Sequence, residues 1–150
     1  MGGQHLHRPV IADATTADAA AVVALWHACG LTRPWNDPEA DFARALGGAG
    51  STILVARDGD VPVGSVMVGH DGHRGWLYYL AVRPALQGRG IGTALFDAAE
   101  QWLSARSVPK LQLMVREDNE AALAFYRRLG LEQQNVIVFG RFLDDATKVQ

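Results

Sequence analysis

The sequence predicts an α+β fold with a mixed, mostly antiparallel central sheet flanked by helices. Three observations predict it. Two segments with helical periodicity come first, three apolar runs separated by turn signals follow, and two units that alternate helix and strand complete the chain. Runs joined by tight turns pair antiparallel, and strands joined through a helix pair parallel, so a sheet of mixed direction is expected.

Each element in that order has its own signal. Helices are placed where apolar residues recur every three or four positions, and strands where apolar residues alternate or run together between turn residues. The predicted elements are a strand at 10–12, helices at 19–29 and 38–46, strands at 51–56, 61–70 and 76–82, a helix at 91–102, a strand at 111–115, a helix at 119–129 and a strand at 136–142.

Capping residues support the helix boundaries. Thr15 or Thr16 can accept a hydrogen bond from the first turn of the first helix, and Asn36 or Asp37 can do so for the second. Gly130 provides a residue that readily takes the left-handed conformation at the end of the last helix. These residues indicate where the helices begin and end.

Length and composition indicate one domain. The 150 residues can form a single core, so 1–150 is predicted as one domain, with residues 1–9 as a flexible N-terminal tail. Fourteen Lys and Arg stand against 16 Asp and Glu, without the basic surplus typical of nucleic-acid binders. No apolar run approaches the length of a membrane span. Neither nucleic acid nor membrane is therefore expected as a partner.

Cysteine usage points to a reducing compartment. Cys29 is the only cysteine, so the chain can form no internal disulfide and no cysteine-based metal site, and no metal is predicted. The first residues lack the charged and apolar regions of a secretory signal. A cytoplasmic location is the expectation.

The strongest functional signal is the glycine-rich loop between the run at 76–82 and the helix that follows. Its glycines leave a short arc of backbone bare, and bare N–H groups leading into a helix N-terminus favour an anion. An arginine within the loop adds a positive charge. The loop, predicted to bind phosphate or pyrophosphate, consists of Gln87, Gly88, Arg89, Gly90, Ile91, Gly92 and Thr93.

Two common phosphate loops do not fit this segment. The dinucleotide fingerprint needs a glycine three places after Gly90, where Thr93 stands. The Walker loop needs Lys followed by Ser or Thr directly after its second glycine, and no glycine here is followed by that pair.

The remaining pattern, Gln87-x-x-Gly90-x-Gly92 behind a strand ending in Val82, resembles the acetyl-coenzyme A loop of the GNAT superfamily of N-acetyltransferases. A second block resembles the other cofactor motif of that superfamily. There Asn119 opens a helix, and an aromatic pair is followed by Leu-Gly. The resemblance spans most of the chain and implies a GNAT-like acetyltransferase fold and a single N-acetyltransferase domain.

The resemblance also implies acetyl-coenzyme A as the acetyl donor. The edge of the strand before the loop would pair with the pantetheine amides, and the loop amides would hold the pyrophosphate. The residues implied in cofactor binding are Leu80, Ala81, Val82, Gln87, Gly88, Arg89, Gly90, Ile91, Gly92, Thr93, Asn119 and Tyr126.

The implied reaction is direct attack of an amine on the thioester, which requires no enzyme nucleophile. Tyr126 would donate a proton or a hydrogen bond to the departing thiolate, and a backbone N–H near Ala81 or Val82 would stabilise the oxyanion. Many family members carry a carboxylate where this chain has Tyr78. The general base is therefore open between Tyr78, a water chain, and a carboxylate such as Asp37 or Glu117.

The acceptor is expected to be a primary amine of a small molecule or peptide. Trp35 and Asn36 lie in the link that closes over the acceptor in the family, and Tyr79 is a third candidate for contacting the substrate. Alternation along the strand places Tyr78 and Tyr79 on opposite faces of the sheet. A homodimer is compatible with these features.

A second function from another class stays open. The missing strand carboxylate allows a non-catalytic module that binds or senses acetyl-coenzyme A, whereas Tyr126 and the intact loop favour the enzyme. An unrelated phosphate-binding protein is disfavoured because both other loop patterns fail.

Overall fold

The computed structural model describes residues 9–144, which form one five-stranded sheet with strand order β1-β2-β3-β4-β5. The strands are β1 Val10–Asp13, β2 Ser51–Asp58, β3 Val61–His70, β4 Gly75–Val82 and β5 Leu111–Leu113. The first four pair antiparallel with their neighbours, and β5 pairs parallel with β4. The predicted α+β class with a mixed, mostly antiparallel sheet is confirmed.

Four α-helices of the described chain cover the two faces of this sheet. They are α1 Ala19–Ala28, α2 Pro38–Gly47, α3 Ile91–Ala105 and α4 Glu120–Arg128. Alternation along β2 divides its side chains between two cores. Ile53 and Val55 pack with α1 and α2, while Leu54 and Ala56 pack with α3.

Side-chain caps define the starts of α2 and α4. Asp37 caps α2 by accepting a hydrogen bond from the Ala40 N–H at 3.1 Å, and Asn119 caps α4 through the Ala122 N–H at 3.1 Å. The α1 helix is preceded by a short 3-10 turn over Thr16–Asp18. Thus the predicted capping of the second helix is made by Asp37, one of the two candidates.

A bulge in β4 determines the shape of the sheet. Met67 of β3 pairs with Tyr78 and Ser65 pairs with Ala81, so two residues of β4, Tyr79 and Leu80, stand against one of β3. Tyr79 takes a φ of 53°, in the left-handed region. Such an insertion bends the strand and shifts the side-chain alternation by one residue.

The bulge explains two further differences from expectation. Pairing between β4 and β5 ends at Leu77 with Leu113, so β5 is shorter than the predicted 111–115 because β4 turns away from it. Tyr78 lies on the α2 side of the sheet and Tyr79 packs with the α1 and α2 core. The prediction that they occupy opposite faces is wrong, because it assumed unbroken alternation.

The predicted strand at 136–142 is absent from the described sheet. Its side chains have high strand propensity, but in the described chain they have no neighbouring strand to pair with. Residues 1–8 of the predicted N-terminal tail lie outside the described residues.

Candidate active site

The glycine loop joins β4 to α3 in the predicted way. A 3-10 turn over Pro84–Leu86 follows β4, and Gly90 is the residue that precedes α3. Gly88 and Gly90 have φ values of 81° and 88°, which most other residues adopt only with strain. These two glycines let the chain reverse sharply at the helix start.

The start of α3 presents free amides. The Ala94 N–H donates to the Gly90 carbonyl at 3.0 Å, which is the first hydrogen bond of the helix. The N–H groups of Ile91, Gly92 and Thr93 therefore lack acceptors within the helix, and the helix dipole adds partial positive charge there. This geometry suits an anionic group of a ligand.

A pocket of about 340 Å³ lies beside this helix start. Its lining includes Arg89 and Thr93 and also the carboxyl side chains of Asp58 and Asp97. The two carboxylates disfavour an anion in the pocket, whereas Arg89 and the amides at the start of α3 favour one.

The last glycine of the loop serves a different purpose. A Cβ atom at Gly92 would lie 3.4 Å from the Phe125 ring, so α3 and α4 approach closely at this point. The Tyr126 ring lies 6.3 Å from that of Phe96, one turn further along α3. The glycine loop and the aromatic pair, far apart in sequence, are therefore close together in the fold.

The edge of β4 is open beyond Leu77, because β5 no longer accompanies it. Leu80 and Val82 face the α3 side, and Ala81 is buried on the α1 side. The Val82 carbonyl accepts hydrogen bonds from Gln87 Nε2 at 3.0 Å and from Cys29 Sγ at 3.1 Å. Hence the Gln87 side chain holds the loop against the strand.

Tyr126 of α4 is partly buried against the core on the α3 side of the sheet. Its ring packs against Phe96 and Phe125, and its hydroxyl makes no hydrogen bond to another described residue. Burial raises the pKa of Tyr126 to about 12. It is therefore a neutral hydrogen-bond donor across the physiological pH range.

A second pocket, of about 530 Å³, opens on the α2 side of the sheet. Asp41 of α2 and Asp71 of the β3–β4 turn contribute carboxylates, and Trp76 and Tyr78 contribute aromatic rings. Burial, with the Asp71 charge as a smaller cause, raises the pKa of Tyr78. The lining also includes Arg44, which pairs with Asp41, so the pocket attracts a cation chiefly through Asp71 and the ring faces.

Tyr79 is fixed in place behind that pocket. Its ring stacks on Trp26 with centroids 3.9 Å apart, and its hydroxyl donates to Asp41 at 2.8 Å. Burial first, then its bond to Asp41, raises the pKa of Tyr79. Asp41 also pairs with Arg44 at 2.7 Å. Tyr79 therefore acts on the pocket indirectly, because its hydroxyl holds the Asp41 carboxylate that lines the pocket.

The remaining predicted residues lie further away. Trp35 is half-buried and Asn36 exposed in the turn before α2, and neither lines either pocket. Asp37 is the exposed cap of α2, and Glu117 is exposed in the loop after β5. Asn119, also exposed, has its side-chain oxygen engaged in capping α4.

Sequence reasoning missed Asp41 and Asp71. They lie in separate elements, 30 positions apart, and an aspartate in a helix or turn carries no signal of its own. Only the strongly amphipathic character of α2 could have indicated which of its carboxylates lies near the sheet. Within residues 9–144 no helix is long and apolar enough to cross a membrane, and no cluster of three metal-ligating side chains occurs.

The open edge of β4 beside a glycine loop at a helix start is the arrangement that the GNAT resemblance implies, and comparison with known proteins agrees. The model of the acetyltransferase (GNAT) family matches residues 19–131. An acetyltransferase of Yersinia enterocolitica is 48% identical over 127 residues, which cover 85% of this chain and 90% of that relative. One of Pectobacterium atrosepticum is 49% identical over 126 residues, covering 84% and 89%.

Solved structures share the fold. An aminoglycoside N-acetyltransferase in complex with CoA superposes with a TM-score of 0.79 at 16% identity, covering 93% of this chain and 98% of that one. A transcriptional regulator from Bacillus halodurans superposes with a TM-score of 0.78 at 21% identity, covering 89% and 99%. The chain belongs to the acetyltransferase (GNAT) family. The predicted family and enzyme class are confirmed.

Proposed function

We propose that this acetyltransferase moves an acetyl group from acetyl-coenzyme A to a primary amine of a small molecule or peptide by direct attack. One observation carries the proposal. The splayed edge of β4, the free amides at the start of α3 and the Tyr126 hydroxyl converge on one side of the sheet. A cation-compatible pocket lies on the other side.

The cofactor would bind along the first of these surfaces. Backbone amides from Gln87 to Thr93, with Arg89, would hold the pyrophosphate, as helix starts hold anions. The open edge at Leu80–Val82 would pair with the pantetheine amides like an added strand. Asn119 would contact the pantetheine arm from the start of α4.

The strand bulge supports oxyanion stabilisation. At the bulge, Tyr79 and Leu80 of β4 stand against one residue of β3, so the ladder is interrupted at these two positions, directly before Ala81, and backbone N–H groups there are released from it. An N–H near Ala81 or Val82 would donate to the oxyanion of the tetrahedral intermediate.

Tyr126 would stabilise the departing thiolate mainly by hydrogen bonding. Its pKa of about 12 lies well above the roughly 8.5 typical of a thiol, so complete proton transfer is uphill by several pKa units. A hydrogen bond to the anion avoids that cost and still lowers the energy of the leaving group.

The acceptor would occupy the pocket beside Tyr78. Protonated amines are attracted by Asp41 and Asp71, but the amine must lose a proton before it attacks. The raised pKa of Tyr78 makes it a weak candidate for the base near neutral pH. We therefore assign the deprotonation to water in the pocket and place Tyr78 against the acceptor.

A pocket of about 530 Å³ favours a small-molecule amine over a peptide. The test is a thiol-release assay with acetyl-coenzyme A across small amines, polyamines, aminoglycosides and peptides. Release with at least one small amine supports the proposal. Tight coenzyme binding without release for every amine would instead support the alternative, a non-catalytic binding or sensing module.

We also infer a cytoplasmic location and a homodimer. The location is supported by a single, half-buried thiol, Cys29, which suits a reducing compartment. Fractionation of cells tests it. The homodimer is supported by an exposed apolar segment near the C-terminus.

A further inference from the structure

Tyr79 has a backbone conformation that its side chain disfavours. Its φ of 53° lies in the left-handed region, and among the described residues only one other non-glycine, Ser107, has a positive φ. Ser107 lies in the turn after α3, whereas Tyr79 lies within a strand. A β carbon makes this conformation costly, so it persists only where the surroundings hold it. The bulge in β4 therefore needs a cause outside its own backbone.

One such cause is a ring stack between α1 and the bulge. The Trp26 side chain is fully buried, and its ring lies nearly parallel to that of Tyr79, with an interplanar angle of 8° and centroids 3.9 Å apart. The Trp26 indole N–H donates to Ser65 Oγ at 3.0 Å. Ser65 of β3 pairs with Ala81, the residue that follows the two bulged positions. Trp26 therefore contacts the bulged residue and the opposite strand at the same time.

The Tyr79 hydroxyl makes a second contact, with α2. It donates to Asp41 at 2.8 Å. Tyr78 lies on the α2 side of the sheet, so unbroken alternation along β4 would turn the Tyr79 side chain to the α3 side. The stack on Trp26 and the bond to Asp41 would then both be lost. These two contacts therefore stabilise the bulged register over a regular ladder.

We propose that Trp26 and Tyr79 are positioning residues that hold the β4 bulge. Their contacts offset the cost of the left-handed φ, and the bulge keeps backbone N–H groups directly before Ala81 out of the ladder. The inference rests on the proposed function for its consequence in the reaction, which is the supply of an N–H to the oxyanion. The backbone conformation itself does not depend on whether any amine is acetylated.

Tyr79→Asn and Tyr79→Leu form a matched pair that separates the bulge from the ring. The two replacements are similar in size and neither stacks as tyrosine does, but asparagine tolerates the left-handed region and leucine does not. Backbone chemical shifts measured by NMR should show a positive φ at position 79 in the wild type and in Tyr79→Asn, and a negative φ in Tyr79→Leu. A positive φ in Tyr79→Leu would mean that the ring does not hold the bulge, and the proposal would be wrong.

Steady-state kinetics with an amine that supports thiol release measures the consequence for the reaction. Tyr79→Leu should lower kcat about a hundredfold, the loss typical of removing one oxyanion donor, whereas Tyr79→Asn should stay within about threefold of the wild-type kcat. Both variants should raise the acceptor KM, because both lose the tyrosine hydroxyl that holds Asp41. If the ring served packing alone, kcat would fall equally in the two variants, and that result would overturn the proposal.

Trp26→Leu tests the other side of the stack. It should change φ at position 79 and lower kcat as Tyr79→Leu does, whereas Trp26→Phe keeps a ring against Tyr79 and should retain the positive φ. Trp102→Leu is the matched control and should keep the wild-type kcat, because Trp102 packs with His70 and Arg106, away from the bulge. An unchanged φ in a folded Trp26→Leu variant would contradict the proposal.

Two further measurements keep the outcomes distinct. Circular dichroism shows whether each variant is folded, and the Tyr79 pair decides the outcome if Trp26→Leu does not fold. If no amine is acetylated, the proposed function fails, but φ at position 79 still decides whether the two rings hold the bulge.

Discussion

At the scale of single residues, Gly90 shows what backbone conformation the proposed phosphate loop requires. Its φ of 88° and the open space around its missing Cβ make it a backbone reversal point, and not a packing position. A side chain here would project into the region in front of the α3 amides. Glycine is therefore favoured at position 90 for its backbone conformation, and its missing side chain leaves room for an anion at the helix start.

Gly90→Asp should abolish binding of acetyl-coenzyme A, because it puts a negative charge where the pyrophosphate is expected. Gly72→Asp is the matched control, since Gly72 has the same φ of 88° and no atom within 4 Å of the position that a Cβ would take, but lies in the β3–β4 turn. Both variants carry about 1–3 kcal/mol of backbone strain. Calorimetry should show lost affinity only for Gly90→Asp. Unchanged affinity in that variant would contradict the phosphate-loop interpretation.

Tyr126 gives the second prediction at this scale. Tyr126→Phe keeps the ring contacts with Phe96 and Phe125, so stability and coenzyme affinity should change little. Turnover should fall by about a hundredfold or more if the hydroxyl hydrogen-bonds the leaving thiolate, as is typical when one donor to a developing anion is removed. Steady-state kinetics beside coenzyme calorimetry measures the two effects.

The pH profile offers an independent check on Tyr126. Because the pKa of its phenol is about 12, the tyrosine stays protonated through neutral and mildly alkaline pH. The wild-type rate should therefore show no loss from Tyr126 ionisation in that range. If Tyr126→Phe turned over at the wild-type rate, the role of Tyr126 would be packing alone.

At the scale of elements, the sequence predicted most of the scaffold because local signals agreed with the final packing. The strand predicted at 51–56 and the cap at Asp37 are both found in the structure. The glycine loop at 87–93 also follows its strand and opens its helix as predicted. These features depend on neighbours in sequence, which a single chain reveals.

The misses arise where pairing between distant elements decides the structure. The bulge at Tyr79 shifts the alternation of β4 and ends its pairing with β5, and nothing in the local sequence signals a positive φ for a tyrosine. The segment at 136–142 has the residues of a strand but no partner in the described sheet. Strand propensity predicts the conformation that a segment favours, and cannot predict which edge will accept it.

One ion pair joins the 3-10 turn before α1 to strand β2. Asp18, before α1, accepts from Arg57 of β2 at 2.6 Å and from the Thr15 N–H at 2.8 Å. The hydrogen bond from Arg57 is the main cause that lowers the pKa of Asp18 below its ordinary value. The folded state therefore binds a proton at this carboxyl less readily than the unfolded state does.

This linkage predicts acid sensitivity. The stabilisation is fully present above the ordinary pKa of an aspartate and is lost as pH falls through the lowered folded value. Asp18→Asn should cost about 1–3 kcal/mol of unfolding free energy at neutral pH and make stability less dependent on pH in the acid range. Urea titrations across that range measure it, with Asp13→Asn, an exposed carboxyl on β1, as the control. If the unfolding free energy of Asp18→Asn fell with pH as steeply as that of the wild type, Asp18 would not be the source of the acid sensitivity.

At the scale of the whole molecule, the proposed function assigns two tasks to opposite faces of the sheet. The α3 and α4 side holds the loop amides and Tyr126, and the α2 side holds the pocket with Asp41, Asp71 and Tyr78. The open edge of β4 is where the two sides can meet, since β5 leaves it uncovered there. Substitutions on one side should therefore affect one substrate and spare the other.

Trp35→Ala tests that separation at the turn before α2. The variant should raise the acceptor KM if this turn closes over the bound amine, although Trp35 lines neither pocket in the described structure. Acetyl-coenzyme A affinity should stay near the wild-type value, because Trp35 lies in the turn before α2 and does not line the pocket beside the start of α3. Kinetics with an amine that supports thiol release, together with coenzyme calorimetry, gives the two quantities separately. Equal losses in both would point to a general structural role for Trp35.

Asp41→Asn tests the same separation inside the pocket. Asp41 lines the pocket and accepts from Tyr79, so its neutral amide analogue should weaken acceptor binding. The acceptor KM should rise about tenfold, the effect expected for losing a charge-assisted contact worth about 1.4 kcal/mol. Coenzyme affinity should again be spared, because Asp41 lies on the α2 side of the sheet, away from the loop amides. The same pair of measurements decides the outcome: equal losses in acceptor and coenzyme binding would show that Asp41 supports the fold as a whole, and would place the acceptor outside this pocket.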